Sequence, residues 1–244
     1  MKLTILGEYG PYPPADGACS AYLVSEDGFH MLLECGPGAL MRLQREIALN
    51  ELSAVALSHL HSDHIADMGV LRYALAALVK RGAPVTCPLP VFCPGSPGAE
   101  AEFLRGEPAF AVSHIEPGFM ARQGPFTITF YPMEHPVPSY AMCISCRGRR
   151  ILYTGDTRMH DRIAPLARGA DLFLCEAGCL ERDRTPETPH LSVAQAARIG
   201  LDAGCPRVIL THLPPDADRA ELAAEAARVH PGAALARAFD AYVL

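Results

Sequence analysis

The 244-residue sequence contains no uninterrupted apolar run long enough to span a bilayer. Its opening residues, Met1 to Glu8, are too short and too soon charged for a secretory signal. These absences exclude a membrane protein and lead us to expect a soluble, cytoplasmic one. Low-complexity tracts, short-period repeats and linkers of biased composition are missing too, so a single domain over 1-244 is expected. Nor is there a second Cys-x-x-Cys. The nine cysteines are odd in number and mostly lie beside apolar residues, so they read as reduced core residues rather than a disulfide framework. Cys143 and Cys146 have zinc-like spacing, but they sit in a strand-like run with nothing to complete a four-ligand site. Positive charge is also short. The net charge of −6 weighs against a surface built for polyanions.

Half of the residues are hydrophobic, enough to bury a sizeable core at this length. Lys2 to Leu6 reads as a first strand. Residues 7–17, with three glycines and three prolines, read as a loop that either walls a pocket or simply connects. Two strands follow around the Asp27-Gly28 turn, then a helix over 39–47 and a buried strand over 54–57. A helix is expected over 65–80, where Leu71, Leu75, Leu78 and Val79 recur at helical spacing. Much of its circumference is apolar, so it is either deeply buried or shared with a second copy in a homodimer. Residues 94–98 form a rigid Pro/Gly loop, and strands are expected over 126–131, 140–146, 151–154, 171–176 and 207–211. Ser192 and Gln195 make a capping box for a helix to Ala203, and a last helix covers 218–229. Strands with helices after each group indicate mixed sheets covered by helices, an α/β fold.

Against this background one stretch stands out. Ser58-His59-Leu60-His61-Ser62-Asp63-His64 packs three imidazoles and a carboxylate into six consecutive residues, directly after a buried strand. A polar loop of solvated histidines rarely has this density of metal ligands. His59 and His61, two apart, can be brought to one side, whereas Asp63 and His64 follow the turn and suit a neighbouring metal. His135, Asp156 and His212 each also follow an apolar run. Singly they read as a loop histidine, a turn former and a strand-end cap. Together with the first cluster they make seven ligands, the number two metals need if one carboxylate bridges.

These residues resemble the metallo-β-lactamase superfamily: the HxHxDH motif at His59, His61, Asp63 and His64, the later His135, the Gly155-Asp156-Thr157 segment and His212. The resemblance implies a four-layer αββα sandwich with two mixed sheets. It implies that His59, His61 and His135 hold one metal, that Asp63, His64 and His212 hold a second, and that Asp156 bridges. The details are most similar to the tRNase Z-like branch: Glu134-His135-Pro136, Gly155-Asp156-Thr157-Arg158, Cys175-Glu176-Ala177, and His190-Leu191-Ser192 before the capped helix. Two features depart from that branch. Only 21 residues separate His135 from Asp156, leaving no room for the long tRNA-binding arm, so tRNA is not the expected substrate. Glu34 stands where the superfamily usually has an aspartate behind the ligands.

Imidazole and carboxylate donors suit zinc, with manganese as a second choice. Two such ions about 3.5–4 Å apart hold a bridging hydroxide at neutral pH, because metal-bound water falls from a pKa of 15.7 to about 7. The expected activity is phosphodiester hydrolysis on a small substrate, a cyclic nucleotide or short oligonucleotide. Asp63 would orient the nucleophile and accept its proton, and His190, steered by Glu176, would protonate the leaving oxygen. Arg158 would meet a substrate phosphate, although an arginine after a turn more often faces solvent. The competing readings are a mononuclear iron oxidoreductase similar to the persulfide dioxygenases, which leaves Asp63, His64 and His212 without a role, and a metal-stabilised binding module without turnover.

Overall fold

A computed structural model describes residues 1–244. Its inner strands are apolar on both faces, and each face has its own cover. In Lys2–Gly7 (β1), Leu3 and Ile5 enter one buried cluster while Leu6 enters another. The hairpin of Ala21–Glu26 (β2) and Phe29–Leu33 (β3) divides the same way: Tyr22, Val24, Met31 and Leu33 face one side, Leu23 and Leu32 the other. Period-two side chains with both sets apolar require a layer above and a layer below.

The first half continues through Ala39–Leu43 (α1), Leu52–Ala56 (β4), Ser62–Ile65 (α2), Met68–Lys80 (α3), Leu89–Pro94 (β5), Gly98–Gly106 (α4) and Phe110–Ile115 (β6). The second half holds Met120–Gln123 (β7), Phe126–Met133 (β8), Ser139–Cys146 (β9), Arg149–Tyr153 (β10), Ile163–Ala167 (α5), Leu172–Glu176 (β11), Val193–Ala203 (α6), Val208–Thr211 (β12), Arg219–Val229 (α7) and Ala233–Leu235 (β13). Ala241–Val243 (β14) then returns to pair antiparallel with β1. The strand orders are β14-β1-β2-β3-β4-β5-β6 and β13-β12-β11-β10-β9-β8-β7. Each sheet mixes antiparallel pairs with a parallel run, β3 to β6 in one and β10 to β13 in the other. The sheets pack through Ile5, Tyr22, Met31, Ile128, Ile144, Tyr153 and Leu174, with helices over both outer faces. This is the αββα sandwich. No helix is long and apolar enough to cross a membrane.

The topology brings chosen ends together. β4 runs parallel to its neighbours in the first sheet, and β10, β11 and β12 are parallel in the second. β8 is antiparallel to β9, which is antiparallel to β10, so β8 and β10 point the same way. The segments following β4, β8, β10, β11 and β12 therefore leave at carboxyl ends, where open α/β sheets place their ligands.

Several elements differ from the sequence reading. The helix expected over 65–80 is broken between α2 and α3, because the Asp67 N–H donates to Cys35 O and its carboxylate accepts from Leu40 N, both outside the helix. α3 is not buried all round. Met68, Leu71 and Leu75 face the core, while Val70, Tyr73 and Val79 face outward. The helix over 39–47 stops at Leu43. Cys143 and Cys146, three apart on β9, point into different clusters on opposite faces, so they do not share a ligand. All nine cysteines are free thiols.

Candidate metal centre

Three local devices aim the first ligands. Chain turning after β4 is held by Glu34, whose carboxylate accepts from Ser58 N at 3.1 and 3.2 Å. Ser58 Oγ lies 2.9 Å from His59 Nδ1 and so orients that ring's other nitrogen inward. His61 is the last residue before α2, which carries Asp63 and His64 on one turn. Gly155 has φ +59°, and a Cβ there would lie 2.7 Å from Ser58 Cβ and 2.9 Å from Tyr140 O, so only glycine lets the Asp156 turn pack against the first motif.

Two groups of ligand atoms result. His59 Nε2 and His135 Nε2 lie 3.0 and 3.1 Å from His61 Nδ1. His135 Nδ1 donates to Pro189 O at 3.3 Å, which leaves its Nε2 as a lone pair facing another imidazole nitrogen. In the second group, Asp156 Oδ2 is 3.4 Å from His64 Nε2 and 3.3 Å from His212 Nε2, and Asp63 Oδ2 is 3.5 and 3.8 Å from the same two nitrogens. Asp156 Oδ2 also lies 3.6 Å from His59 Nε2, at the seam between the groups. The structure therefore brings His59, His61 and His135 together, and Asp63, His64, Asp156 and His212 together.

These donors fit divalent cations. Bonds of 2.0–2.1 Å in a tetrahedral shell separate neighbouring ligand atoms by about 3.3 Å, close to the spacings here, and those of the second group are long for hydrogen bonds. His64 Nε2 and Asp156 Oδ1 are fully buried without a hydrogen-bond partner, an arrangement costly for polar atoms unless something else meets them. Burial drives His59 below the ordinary imidazole range and His135 down to about 4, which suits neutral, metal-accepting rings. Burial also opposes charge on Asp156, but His212, His64 and His59 outweigh it and hold the carboxyl well below its usual range. For His64, burial is overcome by the carboxylates of Asp156 and Glu34, which push it up.

The remaining nitrogen of each inner ring is braced from outside. Glu34 Oε2 is 3.4 Å from His64 Nδ1, and Ser20 Oγ is 3.5 Å from His212 Nδ1. Glu34 and His212 have φ of +59° and +54°, unusual for residues with a side chain, and such strain concentrates at functional positions. Glu34→Ala removes the acceptor of Ser58 N and the brace on His64. It is expected to cost about 1–3 kcal/mol of stability and to weaken metal binding by roughly 10–100-fold, both read by denaturation and metal titration.

His190 and Glu176 lie beside the second group. Glu176 Oε1 is 3.1 Å from His190 Nδ1 and also accepts from Thr157 N at 3.0 Å, while Oε2 accepts from Gly178 N at 3.0 Å. His190 stacks on His212 at 5.0 Å between ring centroids, and its Nδ1 is 3.9 Å from Asp156 Oδ2. Burial alone would lower the His190 pKa, but Glu176 and Asp156 raise it to about 9. The sequence places Gly10 in a loop that either walls a pocket or simply connects, without showing which residue it meets. The loop over 7–17 runs against the site: Gly10 N donates to Leu213 O at 3.1 Å, and a Cβ on Gly10 would come within 2.2 Å of the His212 ring. Nothing short of the fold joins residues so far apart in sequence. The roles of Ser58 and the Pro189 carbonyl were missed, although Ser58 is the immediate neighbour of a ligand histidine.

Comparison with known proteins is consistent along the chain. Residues 30–213 match the model of the Beta-lactamase superfamily domain. The probable metallo-hydrolase YhfI of Bacillus subtilis is 33% identical over 221 residues, covering 88% of this chain and 87% of the relative. Its crystal structure, a metallo-beta-lactamase fold protein, aligns with a TM-score of 0.91 over 99% of both chains. A ribonuclease Z of Mycolicibacterium gilvum is 31% identical over 246 residues, covering 88% of this chain and 85% of that protein. Human tRNase Z, short form, shares the fold with a TM-score of 0.78 at 21% identity, over 100% of this chain and 99% of that one.

Proposed function

The chain belongs to the β-lactamase superfamily of metallo-hydrolases, and from that premise we propose that it is a dinuclear phosphodiesterase acting on a small phosphodiester. The observation that carries this reading is the pair of ligand groups meeting at Asp156, with a carboxylate-held histidine at their edge. His59, His61 and His135 would hold one cation, Asp63, His64 and His212 the other, with Asp156 shared. Zinc or manganese bound there supplies Lewis acidity and a water acidic enough to act at neutral pH. Asp63, whose carboxylate faces His64 and His212 from α2, accepts the proton of the attacking water. His190 delivers a proton to the departing oxygen from Nε2, while Glu176 fixes the ring through Nδ1. Kinship with a ribonuclease Z supports a phosphodiester as the bond broken. The tight turn at Arg147-Gly148 between β9 and β10 leaves no extended arm in the 135–156 interval, which favours a substrate smaller than tRNA. Val70, Tyr73 and Val79 on the outer face of α3 support a homodimer, to be read from sedimentation equilibrium.

The test is hydrolysis of bis(p-nitrophenyl) phosphate by zinc- or manganese-loaded protein. His190→Ala is expected to lower kcat by roughly 10²–10⁴-fold with metal content unchanged. Glu176→Gln keeps a polar group at Nδ1 but removes its charge, and should lose less. Absence of hydrolysis, or full activity in His190→Ala, overturns the assignment. One iron per chain by elemental mass spectrometry transfers the case to a mononuclear oxidoreductase.

A further inference from the structure

Beside His190 lies a small cleft of about 110 Å³, and apart from His190 its lining takes no part in the bond cleavage proposed above. Its lining includes Arg158, Arg184, Thr185 and Thr188, with His190 as the wall it shares with the metal ligands. Arg158 is two residues past Asp156, and its N–H donates to Glu134 O at 2.8 Å, which anchors the base of the side chain next to His135. Its guanidinium has no carboxylate within 4.0 Å and no hydrogen bond to the protein. By contrast the nearby Arg162 and Arg182 are committed to Glu134 and Glu221. Arg184 is held by Glu181 through Nε and Nη2, each 3.0 Å from the same oxygen, so Nη1 is left over. Glu181 is itself engaged by the Ser192 hydroxyl. Thr185 and Thr188 line the cleft on a short turn, with Thr185 N donating to Thr188 Oγ1 at 2.8 Å and the two hydroxyls hydrogen-bonded to each other at 3.3 Å.

The space is far below the roughly 300 Å³ of an ordinary small-molecule pocket, so it suits one compact anion rather than a ring system. Two guanidinium groups with a threonine hydroxyl beside them are the chemistry that recognises a phosphate dianion, because the planar fork of arginine matches phosphate oxygens in pairs. We propose that this cleft receives a terminal phosphomonoester carried by the same substrate whose phosphodiester is cut. The substrate class is then a phosphorylated oligonucleotide end, such as a 5′-phosphorylated dinucleotide, and not a cyclic nucleotide, which has a single phosphate. The assignment rests on the phosphodiesterase reading for the bond cleaved, but the cleft's preference for a second phosphate is measured separately from it.

The experiment has two arms. Calorimetry compares adenosine 3′,5′-bisphosphate with 3′-AMP and 5′-AMP, on metal-loaded and on chelator-treated protein. In the metal-loaded protein the bisphosphate should bind at least ten times more tightly than either monophosphate, and the ratio should fall toward one in Arg158→Ala, and less far in Arg184→Ala. The kinetic arm takes the ratio of kcat/KM for 5′-phosphorylated diadenylate over unphosphorylated diadenylate, expected above ten and near one in Arg158→Ala. A loss of packing alone would depress both substrates together and leave the ratio standing. Equal binding of mono- and bisphosphates by the wild-type protein, or a ratio that survives Arg158→Ala, overturns the subsite. If no phosphodiester is hydrolysed while the calorimetric preference holds and disappears with Arg158, the catalytic reading fails and the subsite stands.

Discussion

Asp156→Ala is expected to reduce bis(p-nitrophenyl) phosphate hydrolysis by at least about 10³-fold, equivalent to roughly 4 kcal/mol of barrier. The magnitude follows from position. Oδ2 of Asp156 is within 3.6 Å of nitrogens from His59, His64 and His212, so a single atom serves both ligand groups. No other carboxylate touches both groups, and the space around it is filled by imidazole rings at 4.1 to 5.2 Å between centroids. Removing the carboxylate also leaves a cluster of buried imidazoles without their main counter-charge. Elemental mass spectrometry of the variant should report less than two ions per chain. Full metal content with activity near wild type would remove Asp156 from the centre of the mechanism.

Chelation should lower the melting temperature by at least about 10 °C. Ligands that bind only the native state stabilise it by roughly 4 kcal/mol per site at a thousandfold excess over Kd, and each kcal/mol moves the midpoint of a chain this size by about 2–4 °C. The effect is large here because the two sheets meet at the site: residues 59–64 follow a strand of the first, while His135, Asp156 and His212 follow strands of the second. A cation held between them would tie the two layers together, and without it the unpartnered His64 Nε2 and Asp156 Oδ1 stay buried. Differential scanning calorimetry before and after chelator, with recovery on adding zinc, measures this. An unchanged midpoint would mean that the cluster holds its shape without metal.

The readable part of the fold was the part made of long apolar runs with punctuation. β4, β11 and β12 are buried along nearly their whole length and β10 over its last three residues, and a chemistry-bearing residue stands at the end of each run or within three residues of it, so both strand and ligand stood out. The capping box of α6 was visible as Ser192 and Gln195, and the structure contains both of its hydrogen bonds. Edges were harder. β6 alternates buried Phe110 with exposed Ala111 and Ser113 and follows a proline-rich run, and β7, β13 and β14 are only three or four residues long. α4 lies behind Pro97-Gly98, which reads as loop. The break between α2 and α3 depends on Asp67 meeting Leu40 and Cys35, contacts made only after the chain has turned back. The hold of Glu176 on His190 had its glutamate and histidine in plain view, but the Gly10 contact with His212 spans some two hundred residues and leaves no trace in local pattern.

Because every candidate ligand departs from the same rim of the sandwich, the layers beneath need not change when the chemistry's target does. The 11–15 and 182–188 stretches can be rewritten, lengthened or exchanged with the sheets and outer helices left as they are, provided Gly10, Pro189 and His190 are kept. Substrate choice and mechanical integrity are thereby kept in separate parts of one polypeptide, and grafting those two loops from another relative is the most economical way to redirect it.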